Sequence, residues 1–209
     1  MNITIFGATG QVGQHLTKLS LDAGHHVTAF TRSPEKIEHS HGNLRIAQGD
    51  VLDLDAVTKA IKGNDAVLCA LGMPLMNKES LRAKGTKNIV RAMADTSVSR
   101  LICLSVFGAG DSRTMLPFKY KVLIIPLILR HVIADHNIQE TYVTNSALNW
   151  TLIRPGNFTK GGYTGVYRHG FSLLDAPSKI KISHPDLADF MIKQLGNDTY
   201  LRKTACISY

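Results

Sequence analysis

A chain of 209 residues, 44% hydrophobic and 19% charged, is long enough for one domain with a sizeable core and has the composition of an ordinary soluble globular protein. Its formal charge of +8 favours anionic partners. Because the lysines and arginines are scattered and form no basic tract, the expected partner is an anionic small molecule rather than nucleic acid. Its three cysteines offer no disulfide framework, and its longest apolar run, Val122 to Leu129, falls far short of the ~20 residues of a spanning helix.

The first residues, Asn2 to Phe6, read as a short buried strand rather than a signal peptide. It stops at Gly7. Gln11 to Ala23 then reads as a helix with Val12, Leu16, Leu19 and Ala23 on one face. Further strands are expected at His26 to Arg32, Asn43 to Asp50, Asp65 to Gly72 and Arg100 to Gly108. Helices are expected between them at Asp53 to Gly63 and Glu79 to Thr96. A long helix is expected from about Pro126 to Ser146, then a strand and turn over Asn149 to Phe158. Thr159 to Lys179, rich in Gly and aromatics, reads as loops and short strands. Ser183 to Asn197 reads as a helix opened by a Ser183/Asp186 capping box, and Lys203 to Tyr209 as a final edge strand. Alternating strand and helix with near-continuous apolar strands predicts an α/β fold, a Rossmann-type doubly wound parallel sheet. We read residues 1–209 as one domain with a small substrate-side region towards the C-terminus.

Gly7-x-x-Gly10-x-x-Gly13 falls at the first strand-to-helix turn, where bare backbone N–H groups can face a phosphate. Gly7, Thr9, Gly10, Gln11, Val12 and Gly13 are the candidate cradle for a dinucleotide. The second strand ends in Thr31-Arg32-Ser33, with no carboxylate to hold ribose hydroxyls. Arg32 can pair with a 2′-phosphate and stack on adenine, and Ser33 can add a hydrogen bond, so the expected cofactor is NADP(H). Asp50 and Val51 stand where an adenine amino group would be met, although Asp50 could instead cap the following helix. Ala70, Leu71 and Gly72 close the fourth strand beside the cofactor's ribose and phosphates.

FGATGQVG, Arg32, GDV, ALG, GTKNIV and WTLIRPGNF together resemble the atypical short-chain dehydrogenase/reductases. IFGATGQ, GDVLD, NDAVLCALG, ADHNIQE, TGVYR and ISHPDLADFM, in that order, resemble the NmrA-like group that includes the biliverdin-IXβ and flavin reductases. The resemblance covers nearly the whole chain. It implies NADPH-dependent reduction of flavins or other planar conjugated acceptors. It also implies that Ser105 lies beside nicotinamide and acceptor in an orienting role, and that His136 matches an active-site histidine able to orient a ligand or donate a proton. Pro155, Asn157 and Phe158 are implied to border the nicotinamide, with Asn157 standing where the resembling enzymes carry a second histidine.

No tyrosine has a lysine four positions on, so the Tyr-x-x-x-Lys pair of ordinary short-chain dehydrogenases is missing. Ketone reduction needs a positioned acid for the alkoxide. A conjugated acceptor delocalises the new charge and can take its proton from water. The expected activity is therefore a flavin-reductase-like hydride transfer to a flavin-like or quinone-like small molecule, in the cytoplasm, by a monomer or homodimer. The rival is an NmrA-like redox sensor that holds NADP without turnover; an isomerase or epimerase ranks lower. The chain lacks a basic helix or aromatic platform for nucleic acid. His25-His26 and His39/His41 lack the carboxylate or cysteine set of a metal site. Val122 to Leu129 is expected to pack into the core, ahead of serving as a lid, a dimer face or a membrane-surface contact.

Overall fold

The computed structural model describes residues 1–73, 80–171 and 180–209. Strands β1 (Asn2–Phe6), β2 (His26–Thr31), β3 (Leu44–Gln48), β4 (Ala66–Cys69), β5 (Arg100–Leu104) and β6 (Asn149–Pro155) form a parallel sheet. Helices α1 (Gln11–Asp22), α2 (Leu54–Ile61), α3 (Leu81–Asp95), α4 (Arg130–Thr144) and α5 (His184–Lys193) flank it. The order β3-β2-β1-β4-β5-β6 reverses direction between β1 and β4. That reversal opens a crevice at the carboxyl ends of the strands, where ligands of such sheets bind.

Strand alternation divides the core into two layers. Ile3, Ile5, Leu68, Ile102 and Ile153 face one side and pack with Leu16 of α1 and Leu187 and Met191 of α5. Phe6, Val67, Leu101 and Leu152 face the other, against Val57 and Ile61 of α2 and Ile89 and Met93 of α3. Each such side chain contributes roughly 1.5–3 kcal/mol by leaving water. The third layer of apolar contacts lies beyond β5: Phe107, Leu116, Ile125, Ile133 and Phe171 pack together and roof the crevice.

Several expectations change. The strand β10 (Lys203–Ser208) is interior, because β6 pairs with it on one side and the two-residue β8 (Arg168–His169) closes it on the other. A small second sheet joins β7 (Asn157–Thr159) to β9 (Lys181–Ser183). The helix expected from Pro126 begins six residues earlier, as a wide π-type helix over Tyr120–Leu129 that runs into α4. Its wider hydrogen-bond ring accommodates Pro126, which has no N–H to donate. Only half of the expected capping box forms. Ser183 Oγ accepts from the Asp186 N–H at 3.2 Å, but the Asp186 carboxylate instead accepts from the Thr164 and Gly165 N–H groups and the Tyr209 hydroxyl. Asp186 thus pins the Thr164 loop onto α5. Glu79, expected to open the third helix, and residues 172–179 of the expected loop region lie outside the described residues.

Candidate active site

The glycine turn sits at the sheet's reversal point. Gly7 has φ +82°, a conformation that disfavours a side chain, and a Cβ there would lie 2.3 Å from the Ala70 carbonyl oxygen at the end of β4. A Cβ on Gly13 would lie 2.0 Å from the Gly7 carbonyl oxygen. Glycine at both positions lets α1 start directly against β1 and β4. Gly10 caps α1 without any side-chain hydrogen bond, and the first turn carries no acidic residue. The early N–H groups of α1 are therefore left for an anion, and their dipole favours one. A nucleotide pyrophosphate fits this donor set; Thr9 belongs to the turn, and Gln11 and Val12 are the first residues of α1.

At the end of β2, Arg32 is 66% exposed, with Nη1 4.0 Å from Asp50 Oδ2. The neighbouring Thr31 Oγ1 accepts from the Ser33 N–H at 3.0 Å. Asp50 does not cap α2. Asp53 does, accepting from the Asp55 and Ala56 N–H groups, while Asp50 accepts from the Leu52 N–H at 2.9 Å. The Val51 carbonyl accepts from Asn88 Nδ2 at 3.0 Å, so α3 holds the turn that carries both residues. A cation and a carboxylate thus stand together just beyond the ends of β2 and β3.

Beyond Leu71 and Gly72 the crevice widens into a cavity of about 880 Å³. That volume lies in the range of small-molecule sites. Its wall brings together Leu71, Gly72, Ser105, His136, Pro155, Asn157 and Phe158, residues expected from sequence, with Tyr120, Ile125, Leu129 and Ile133, which were not. The phosphate-side candidates Gly7 to Gly13, Arg32, Ser33, Asp50 and Val51 lie outside this wall, in the adjoining crevice.

Ser105 follows β5. Its N–H donates to the Ile153 carbonyl, and its buried hydroxyl donates to Glu140 Oε1 at 2.6 Å. Glu140 also accepts from Arg154 Nε at 2.8 Å and from Arg154 Nη2 at 2.7 Å. Arg154 reaches Asp111 as well. These hydrogen bonds to Glu140 and Asp111 raise the guanidinium's pKa despite burial, and the Arg154 contact lowers that of Asp111. The network locks the Ser105 hydroxyl as a donor to protein, leaving its oxygen to accept from a ligand.

His136 is buried on α4 rather than facing solvent. Burial, reinforced by the Arg82 charge and opposed by Gln139, lowers its pKa to about 3. Gln139 donates its amide to Thr86 Oγ1 at 3.0 Å, which turns its carbonyl oxygen to His136 Nδ1 at 2.8 Å. Nδ1 then carries the proton, and Nε2 is the ring atom left to accept. At neutral pH His136 is uncharged, so the ring lines the cavity as a neutral imidazole rather than as an imidazolium.

Asn157 is exposed and donates to the Tyr120 hydroxyl at 3.2 Å, and Phe158 stacks on the His184 ring at 4.3 Å. Lys193 does approach a tyrosine, Tyr167, at 3.3 Å. Burial and the bond to Asp189 nevertheless raise that tyrosine's pKa, and neither residue lines the cavity. It is no proton-transfer pair for this site. Among the described residues no three His, Cys, Asp or Glu side chains gather as a metal site.

Sequence reasoning missed Glu140 and Arg154. The signal was available: an arginine inside the apolar strand TLIRP must meet a buried counter-charge, and Glu140 lies one helical turn after His136.

A sequence profile described as NAD(P)H-binding matches residues 7–198. YwnB of Bacillus subtilis, an uncharacterised protein, is 28% identical over 93% of this chain and 92% of its own. Phenylcoumaran benzylic ether reductase PT1 of Pinus taeda is 24% identical over 97% of this chain and 67% of its own. Among solved structures, a short-chain dehydrogenase/reductase of Veillonella parvula in complex with NADP superposes with a TM-score of 0.82 at 19% identity, covering 100% of this chain and 94% of that one. ChuY, an anaerobilin reductase of Escherichia coli O157:H7, gives a TM-score of 0.81 at 19% identity, covering 100% and 97%.

Proposed function

Starting from a chain that belongs to the NAD(P)H-binding family, we propose that it is an NADPH-dependent reductase of a flat, conjugated small molecule such as a flavin or a quinone. The observation that carries this is the composition of the cavity wall. It is largely apolar, its histidine is held neutral, and its Tyr120 hydroxyl meets Asn157 rather than a lysine. Such a wall positions a reactant, and among the described residues its only charged donors are Arg82, Lys119 and Lys181. It suits an acceptor that spreads the new charge over its own π-system.

When bound, the nicotinamide supplies a hydride. The chain's residues do the rest by proximity and orientation. The amides of the glycine turn would hold the pyrophosphate, Arg32 would face the 2′-phosphate with Ser33 beside it, and Asp50 and Val51 would meet the adenine. Ala70 to Gly72 would flank the ribose, and Pro155, Asn157 and Phe158 would border the nicotinamide. Ser105, fixed by Glu140 and Arg154, and His136, fixed by Gln139, orient cofactor and acceptor. The names of the pine and Escherichia coli proteins, both reductases, support the reaction class. We infer a cytoplasmic location, supported by three cysteines that are all free and buried.

Screening FMN, FAD, quinones and linear tetrapyrroles for protein-dependent loss of NADPH absorbance, beside NADH, tests the proposal. Saturable oxidation with a planar acceptor and a preference for NADPH is expected. Tight NADPH uptake with no turnover on any acceptor would favour the redox-sensor reading instead.

A further inference from the structure

Most of the stretch Val122 to Leu129 does not pack into the core. Of its side chains only Ile125 is buried; Val122, Leu123, Leu127 and Ile128 are more than half exposed, and so is Phe118 just before them. Leu127 reaches 71% and Phe118 77%. Solvated helices normally turn their apolar residues inward. This one is apolar all round, so its inner side walls the cavity with Tyr120, Ile125 and Leu129 while its outer side meets water.

Charge identifies the occupant of that outer side. From residue 112 to residue 134 the chain has no aspartate or glutamate, but it has Arg113, Lys119, Lys121 and Arg130. A two-fold contact with a second copy would press these cations on their own counterparts with no carboxylate in the segment to neutralise them. A surface of lipid phosphates neutralises them and also accepts the apolar side chains. No helix among the described residues is long and apolar enough to cross a membrane. The arrangement is that of a short helix lying in the interface, apolar side chains inserted and cations level with the headgroups.

We propose that residues 117–130 form a docking surface for an anionic lipid bilayer. The docking rests on exposure and charge, not on the identity of the acceptor. It extends the reductase reading in one respect: an acceptor dissolved in that bilayer lies one helix away from the cavity.

The test is flotation of the full chain with phosphatidylcholine vesicles and with vesicles in which roughly one third of the lipid is phosphatidylglycerol, alongside light scattering for oligomeric state. Binding is expected to the anionic vesicles only, and to weaken as salt rises. The Leu123→Ser/Leu127→Ser variant should lose it while keeping its melting temperature and its NADPH affinity. Each cation near such a surface is worth about fivefold in partitioning, so Lys121→Gln/Arg130→Gln should bind about 30-fold more weakly. Absence of binding to either vesicle, equal binding to both, or a dimer that Leu123→Ser/Leu127→Ser dissolves would overturn the proposal. None of these outcomes touches turnover of a water-soluble acceptor without vesicles, so failure of docking and failure of the reductase reading are told apart.

Discussion

Glu140→Gln is the sharpest probe of the buried network. The wild-type carboxylate takes three charge-assisted bonds, one from Ser105 and two from Arg154. The amide keeps one acceptor and turns an N–H group towards donors. Arg154, itself buried, then keeps one carboxylate partner among the described residues, Asp111, whose side chain is largely exposed. Removing one partner of a buried pair costs about 3–5 kcal/mol. The surviving Asp111 contact puts this case at the lower end, about 3 kcal/mol. In a chain of this size that corresponds to a fall in Tm of roughly 6–12 °C. Thermal unfolding followed by circular dichroism measures it. Adding Arg154→Leu to an apolar Glu140→Leu should recover part of the loss, because the two charges vanish together. A fall of less than about 2 °C in the single variant, or strict additivity in the double, would refute the argument that these charges depend on each other.

Arg32→Glu should raise the KM for NADPH by about a hundredfold or more, from a lost charge-assisted bond plus repulsion of the 2′-phosphate, and should leave NADH nearly unchanged. Steady-state kinetics with both nucleotides reads this, and equal loss for both would remove the phosphate assignment. Gly13→Ala drives a methyl into the Gly7 carbonyl, which is backbone and cannot swing aside. A cost of about 1–3 kcal/mol in urea unfolding and a weaker NADPH affinity by calorimetry are expected together. His136 is neutral in the folded chain down to about pH 3, whereas in the unfolded chain it protonates near its ordinary 6.5. Unfolding is thus proton-linked between those values, and stability, full above about pH 6.5, should fall as pH drops, by about 2 kcal/mol at pH 5 from this group. The His136→Gln variant should show a flatter urea-midpoint profile over that range; an unchanged profile would mean the imidazole is not buried neutral.

Local signals carried most of the fold. Apolar runs ended by glycine marked β1, β4 and β5, and the Gly7–Gly13 spacing marked the crevice because strand, turn and helix are contiguous there. What escaped depends on distant partners. β10 reads as an edge strand because its outer neighbour is two residues long, too short to leave a pattern. Tyr120 lacks a lysine four positions on and so carries no sequence signal, yet the wide helix brings its hydroxyl to Asn157 in the cavity wall. Val122 to Leu129 reads as core from hydropathy alone, since hydropathy does not say whether a neighbour covers both sides of a helix. The surroundings of Ser105 come from α4 and β6, so its position was legible and its bonding was not.

The central proposal is hydride transfer from NADPH to a planar acceptor in the cavity beside it. Anaerobic mixing of protein, NADPH and FMN, with both chromophores followed together, measures this directly. One flavin reduced for each nucleotide oxidised is expected, at a rate that saturates in both. Nucleotide that stays bound and unoxidised, while flavins, quinones and tetrapyrroles all remain oxidised, would contradict it.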